Sequence, residues 1–458
     1  MRPALALALI FLCVALTASQ ASARELWSAG EFSLDLSGSL RELAVVTRGT
    51  DAEDFLDALE ANGEECASRF PPPSMECFDL FAYFPAFDEV GETRVFTSLT
   101  RLRLRLDLRA GPHFSAEVAY DNELWAGTLD TFGALAGESL ARPPYFNLQG
   151  GRSSDHVLWA TGLYRAYLFF ESRHFEAVLG RQRIPWGVGR LWNPIDRFNA
   201  IRPLALEADQ SMGVDAVLAR WIANGFTSLE AIFAPARDRD DHSYALRLHG
   251  ILHDVDYSLM AGVFEEAPTV GFDLAANLGD AAGRLEVVYA HPRREMWPVD
   301  IDQPYEIPDF WQVVVSADYL FDVGEGIYAL AEYLYNGNAL GFGYGKAGPL
   351  LPLFEQTGEL DLPIWLISAD RFGGSRVVTR SRHLTGFELG YEFTPELRGD
   401  LLVIADWDGL SAAWFPKLLY SPLDWLELTL GVQLSHGRPY SEFGSAEHLV
   451  YLLADVFF

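Results

Sequence analysis

The sequence predicts an all-β membrane protein: a transmembrane antiparallel up-and-down β-barrel of roughly 16–18 strands, about 18 by direct count, with short periplasmic turns and long extracellular loops. Three observations carry this reading: an export leader at the start, period-two alternation recurring to the last residue, and connections that are short on one side and long on the other.

The leader comes first. Met1 and Arg2 precede the apolar run "ALALALIFLCVAL", and small residues close on "ASA" at 21–23. This is the layout of a secretory signal peptide over 1–23, leaving 24–458 as a single outer-membrane barrel domain. A membrane-spanning helix needs about twenty apolar residues. No later stretch has eighteen without interruption, so any crossing must be made by strands.

Alternation is the second observation. "RLRLRLDLR" puts Leu102, Leu104, Leu106 and Leu108 on one face and Arg101, Arg103, Arg105, Asp107 and Arg109 on the other, the period of a β-strand. "HFSAEVAYDNELW", "TSLEAIF", "DYSLMAGVF", "RLEVVYA", "GFELGYEF" and "LELTLGVQL" repeat it in segments long enough for a tilted strand to cross hydrocarbon. The chain ends on "LVYLLADVFF", an alternating strand with Phe458 last. It resembles the signal by which the barrel assembly machinery recognises its clients.

Third, "RAGPH", "ESRH", "ANG", "HDVD", "GDAAG", "DVGEG", "TPEL" and "SPLD" are tight turns. The intervening links include long ones near 50–90, 127–155, 184–211, 291–309 and 336–375. An even strand number puts both termini in the periplasm. With 50% hydrophobic and 13% aromatic residues against 21% charged, the surplus apolar side chains are expected to face outer-membrane lipid.

Net charge is -30, from 64 acidic and 34 basic residues, which argues against nucleic-acid partners. Cys13 leaves with the leader. Cys66 and Cys77 then make a disulfide a better reading than a metal site, pinning a structured extracellular insertion over 50–90. That insertion contains "DAEDFLDALEANG", which reads as a short helix. No cofactor or metal is expected.

If leucine faces lipid, Arg101, Arg103, Arg105 and Arg109 form a basic ladder on the lumen wall, beside Glu117 and Asp121 of the next strand. Glu230, Asp256, Asp273, Glu286, Asp318, Glu388, Glu392, Glu427 and Asp455 add acid elsewhere, and Arg165, Arg247 and Arg284 add base. The charges either pair across strands or set up a transverse field, and an acidic excess favours cations.

The segment "GRQRIPWGVGRLWNPIDRFN" closes the fifth strand and enters the third long loop. Pro185, Gly187, Gly189 and Pro194 deny it ladder bonding, while Trp186 and Trp192 can anchor it. We expect residues 184–211 to fold into the pore as a constriction, with Arg181, Arg183, Arg190, Arg197 and Arg202 facing Asp196, Glu207 and Asp209. The pattern Gly180, Arg181, Gln182, then Trp186-Gly187, then Asn193-Pro194 with Asp196, resembles porin-like outer-membrane barrels, including alginate-export barrels and the sheaths of porin–cytochrome conduits. The resemblance implies an outer-membrane channel or sheath.

Catalytic patterns are missing: there is no G-x-S-x-G and no H-E-x-x-H, and "GFGYGKAG" lacks Walker spacing. The expectation is a non-enzymatic porin of a Gram-negative outer membrane, passing small hydrophilic solutes or ions with modest cation preference. Two alternatives stand beside it: a sheath around a partner such as a multihaem cytochrome, and an exporter of anionic polysaccharide. The chain is expected in lipid, with a homo-oligomer or a lumen partner both open.

Overall fold

The computed structural model describes residues 24–50, 92–127, 145–154, 157–199, 203, 205–207, 213–293, 295–300, 303–306, 308–339, 377–437, 441–444 and 448–458. The leader, the 50–90 insertion with Cys66 and Cys77, Arg202 and Asp209 lie outside the described residues.

Neighbouring strands pair antiparallel in chain order, and the last closes on the first: residues 39–47 of Phe32–Thr50 pair with residues 449–457. The main sheet has twenty strands. Two of these, Arg24–Ala29 and Gln149–Ser154, are short additions. The remaining eighteen form the closed wall. Arg24–Ala29, which the alternation did not reveal, pairs with the part of the first strand that extends past the end of the last. Closure leaves lipid no unpaired barrel edge to solvate.

The two faces of each strand divide by period. Leu104, Leu106 and Leu108 are exposed, while Arg101, on the opposite face of the same strand, is buried. Leu246, Leu259, Val270, Val315, Leu389 and Leu430 continue the exposed apolar band around the wall. Aromatic residues gather at its borders, Phe114, Phe175, Trp221 and Phe226 near the short turns and Trp311, Trp407 and Trp414 toward the other rim, the girdles that amphipathic rings form at membrane interfaces. Hairpins are tight at both ends. His253-Asp254 and Glu265-Glu266 each hold two consecutive positive φ values, the twist that a two-residue hairpin needs.

The inner face is less polar than expected. Val314, Leu330, Leu334, Leu384 and Ile404 point inward with Trp192, and Leu43, Val45 and Leu99 form another inward cluster. These strands are apolar on both faces because a loop covers them from inside.

Leu259 sits at mid-strand on the outer face, 54% exposed. Leu259→Arg is expected to destabilise the barrel by about 2–4 kcal/mol in urea titrations from lipid vesicles. A change within error would place that face away from lipid.

Candidate functional site

The fifth strand of the wall, Phe175–Gln182, is only 8 residues long. Its last two residues separate the two sides of the wall. Arg181 shares the face of exposed Leu179 and pairs with Asp215 at 2.9 Å, also donating to the Leu163 and Phe146 carbonyls at 2.7 and 2.5 Å. Gln182 turns inward and donates to the Ala216 carbonyl at 3.1 Å. Above this point Gln149–Ser154 pairs with residues 157–162 and fills the lane that the short strand leaves. The chain is thereby free to leave the wall.

From Arg183 it runs along the inner wall, and acidic side chains of successive strands catch it. Trp186 Nε1–H donates to Glu230 at 2.8 Å. Glu286 accepts from the Val188 and Gly189 amides, both at 2.5 Å, and from Ile195 at 3.2 Å. Glu332 accepts from the amides of Arg190, Leu191 and Trp192 at 2.8, 2.9 and 2.7 Å. Consecutive amides facing one way make a concave anion seat, and here the chain's own carboxylates occupy it. Each bond is charge-assisted and stronger than a neutral one.

Apolar contacts fix the same segment. Trp186, Ile184, Ile195 and Phe198 pack with Val214, Ile232, Met260 and Phe264, with Phe198 edge-on to both Trp186 and Phe264. Leu191 and Trp192 pack over Val314, Leu330 and Leu384. Gly386 makes room for them: a Cβ there would lie 2.1 Å from Leu191. Gly187 holds φ 87°, and a Cβ on it would meet the Asn193 side chain at 1.9 Å. Asn193 closes the bend by donating to the Trp186 carbonyl at 2.5 Å.

Pro194 is buried within the bend. Asp196 accepts from the Phe198 and Asn199 amides at 2.9 and 2.6 Å and so shapes the return. Arg197 is buried, its guanidinium 5.9 Å from the Phe310 ring.

The return crosses to the opposite wall. Leu206 packs on the Leu43–Leu99 cluster, and Glu207 accepts from Arg41 at 2.9 Å and Arg101 at 2.6 Å. Glu207 therefore meets the arginines of the wall rather than those of the loop. Arg41, which sequence reading passed over because "LRELAVV" carries apolar residues on both faces, also binds Asp455 at 2.7 Å. Arg101 holds Glu123 at 2.5 Å. Arg103 holds Asp121 at 2.6 Å and lies 3.3 Å from the Tyr164 ring. Arg105 lies 3.6 Å from Glu117, which also accepts from Tyr167. The ladder is thus largely neutralised by partners, and Arg109 lies exposed at its lower end.

Further round, Arg284 pairs with Asp318 at 2.5 Å, and Asp400 with Arg398 and Lys417. Two loop cations contrast with all of these. Arg183 and Arg190 are exposed, with no ion pair among the described residues. Arg183 adds to the field at Arg165, and Arg190 to that at Asp318, Tyr328 and Glu388. The loop therefore presents two charges to the open part of the lumen.

At the long-loop rim, residues 377–381 and 441–443 fold together. The Glu442 carboxylate accepts from the Arg380 and Ser381 amides at 2.6 and 2.9 Å, and Asp406 accepts from Ser381 and Ser411 hydroxyls. Burial pushes the Glu442 carboxyl from 4.5 up to about 7. A raised carboxyl binds its proton more tightly in the folded loop, so this contact is most stable below pH 4.5 and weakens as pH rises to about 7.

Two outcomes are expected. Glu332→Ala strands three loop amides, each worth about 1–3 kcal/mol when buried without an acceptor; single-channel recordings should show larger, noisier currents, and currents identical to wild type would contradict the clamp. Rim fluctuations in wild type, read by amide exchange over residues 377–381, should increase between pH 5 and about 7, and Glu442→Gln should abolish that increase. A dependence surviving the substitution would assign it elsewhere.

No family model matches the chain, and no curated protein matches it. Solved structures do. The crystal structure of OccAB1 from Acinetobacter baumannii covers 95% of this chain and 99% of its own at 7% identity, with a TM-score of 0.52. A doubly substituted OccD1 (OprD) covers 96% and 99% at 10% identity, with a TM-score of 0.50. Neither supports the narrower likeness to alginate-export or cytochrome-sheath barrels. What the chain shares with them from end to end is the fold, a closed 18-stranded antiparallel barrel of the outer-membrane type.

Proposed function

We propose that this chain is an outer-membrane diffusion channel for small hydrophilic solutes or ions, with residues 183–207 as its constriction. One observation carries the proposal: the loop lies inside the barrel, tied to Glu230, Glu286 and Glu332 on one wall and through Glu207 to Arg41 and Arg101 on the other. A loop held at both ends narrows the lumen without the chemistry of an active site. The lumen that remains is lined by paired charges, which suits hydrated solutes.

Selectivity in this reading depends on the charges left exposed. Arg183 and Arg190 stand on the loop, while Glu388, Glu392 and Asp256 contribute acid from the wall. Modest cation preference follows from the acidic excess, with Arg190 opposing it. The same loop argues against a sheath, because it occupies space that an inserted partner would need. Pairing of Arg41, Arg101 and Arg103 with carboxylates argues against a bare arginine track for polysaccharide.

Reversal potentials in a planar bilayer under a salt gradient test this reading. Wild type should open steadily with a cation preference, and Arg190→Glu should raise that preference several-fold with conductance kept within about twofold. A barrel that folds but never conducts would overturn the channel, and an unchanged reversal potential would remove Arg190 from the constriction.

A further inference from the structure

The outer surface of the wall carries a concavity that the channel does not use. A groove of about 300 Å³ runs down the lipid side of three adjoining strands, Phe114–Ala126, Val157–Glu171 and Phe175–Gln182. This is the lower end of the range for ligand pockets. Ala110, Ala116 and Ala177 form part of its lining, between the larger side chains of Leu108, Phe114, Leu168, Phe170 and Leu179. Alternation assigns the small residues to the lipid face: Ala177 is in phase with exposed Phe175 and Leu179, and Ala116 with exposed Phe114 and Val118.

The lower end of the groove is built differently. There the rings of Phe114, Phe170 and Phe175 cluster, with centroids 5.0 and 6.4 Å apart from Phe170. The His113 ring lies 6.2 Å from Phe170. His113 belongs to the short turn before Phe114, and the neighbouring short turn carries Arg173 and His174, all three exposed. Arg173 has no ion pair among the described residues. Glu171, the nearest acid in sequence, is out of phase with Phe170 and so belongs to the lumen side. An apolar channel thus ends at the level of the periplasmic head groups in an aromatic rim flanked by Arg173, His174 and His113, the last with one ring nitrogen 2.8 Å from the Glu171 carbonyl, while the exposed Glu31 lies beside Gly111 at the far side of the His113 turn.

We propose that this groove is a binding site for one phospholipid of the periplasmic leaflet, its acyl chain lying along Ala116 and Ala177 and its phosphate against Arg173 and His113. Charge complementarity selects this occupant. Basic side chains beside the head-group layer attract lipid phosphate, whereas a second copy of this chain would bring the same basic turn against itself. The proposal is independent of what the lumen conducts.

Native mass spectrometry of the full chain, released from detergent into the gas phase after graded delipidation, tests the site, with phosphatidylglycerol as the probe added back. Wild type should retain one phospholipid after the bulk lipid is lost. Ala177→Trp, which fills the groove, should lower occupancy at least tenfold. Arg173→Glu, at an exposed turn where folding is unaffected, should weaken phosphatidylglycerol binding several-fold while leaving heat-modifiable mobility unchanged. Val270→Trp, on the lipid face of the strand Ala267–Leu278, should change neither. Equal lipid loss from all four proteins would overturn the proposal. So would a lipid-free dimer that Ala177→Trp converts to monomer, since the groove would then belong to a second copy.

Discussion

A peptide segment placed inside a barrel brings its backbone donors with it, and everything about this lumen depends on how those donors are satisfied. Wall carboxylates meet the need. Glu286 and Glu332 together accept six loop amides, and Glu230 takes the Trp186 indole. An inward carboxylate with no partner would carry a large desolvation cost, as would a stranded amide. Each removes the other's penalty. The acid on this wall is therefore first a clamp, and only the residues left over shape the field seen by a solute.

The opposite wall uses the reverse polarity. Arg41 and Arg101 hold the single carboxylate of Glu207, and each also binds a wall carboxylate, Asp455 and Glu123 respectively. The loop is thus suspended between an acidic and a basic side, with apolar clusters around Trp186, Trp192 and Leu206 filling the space beneath it. Breaking the wall to release the loop leaves a vacant lane, and Arg181 with Asp215 ties residue 146 into it. Constriction and wall repair are consequences of the same short strand.

Much of the fold was legible because lipid imposes period two on every strand. "RLRLRLDLR" could be read directly, and the count of about eighteen strands agrees with the eighteen of the wall. The candidate site was legible only in part. Composition marked residues 180–199 as too polar for a core and too rich in Trp and Pro for a linker, yet no local rule says which wall receives each residue. Asp196 looked like a pore charge, and no local rule showed that it also accepts from the amides of the turn after it. Glu286 looked like a lumen charge and is a backbone clamp, and Glu332, which the alternation did not single out, is a second one. Leu43, Val45, Val314 and Leu334 broke the inside-polar rule because the loop, distant in sequence, covers them. Arg41 was hidden for the same reason, in a strand apolar on both faces.

If residues 183–207 limit the pore, excising the inner portion of the loop should release the current. With residues 187–196 replaced by a short glycine linker, the barrel should still fold, its single-channel conductance should rise several-fold, and its ion selectivity should follow the bare wall. Unchanged conductance in a folded, membrane-inserted variant would contradict it, because the current would then be limited somewhere other than the loop.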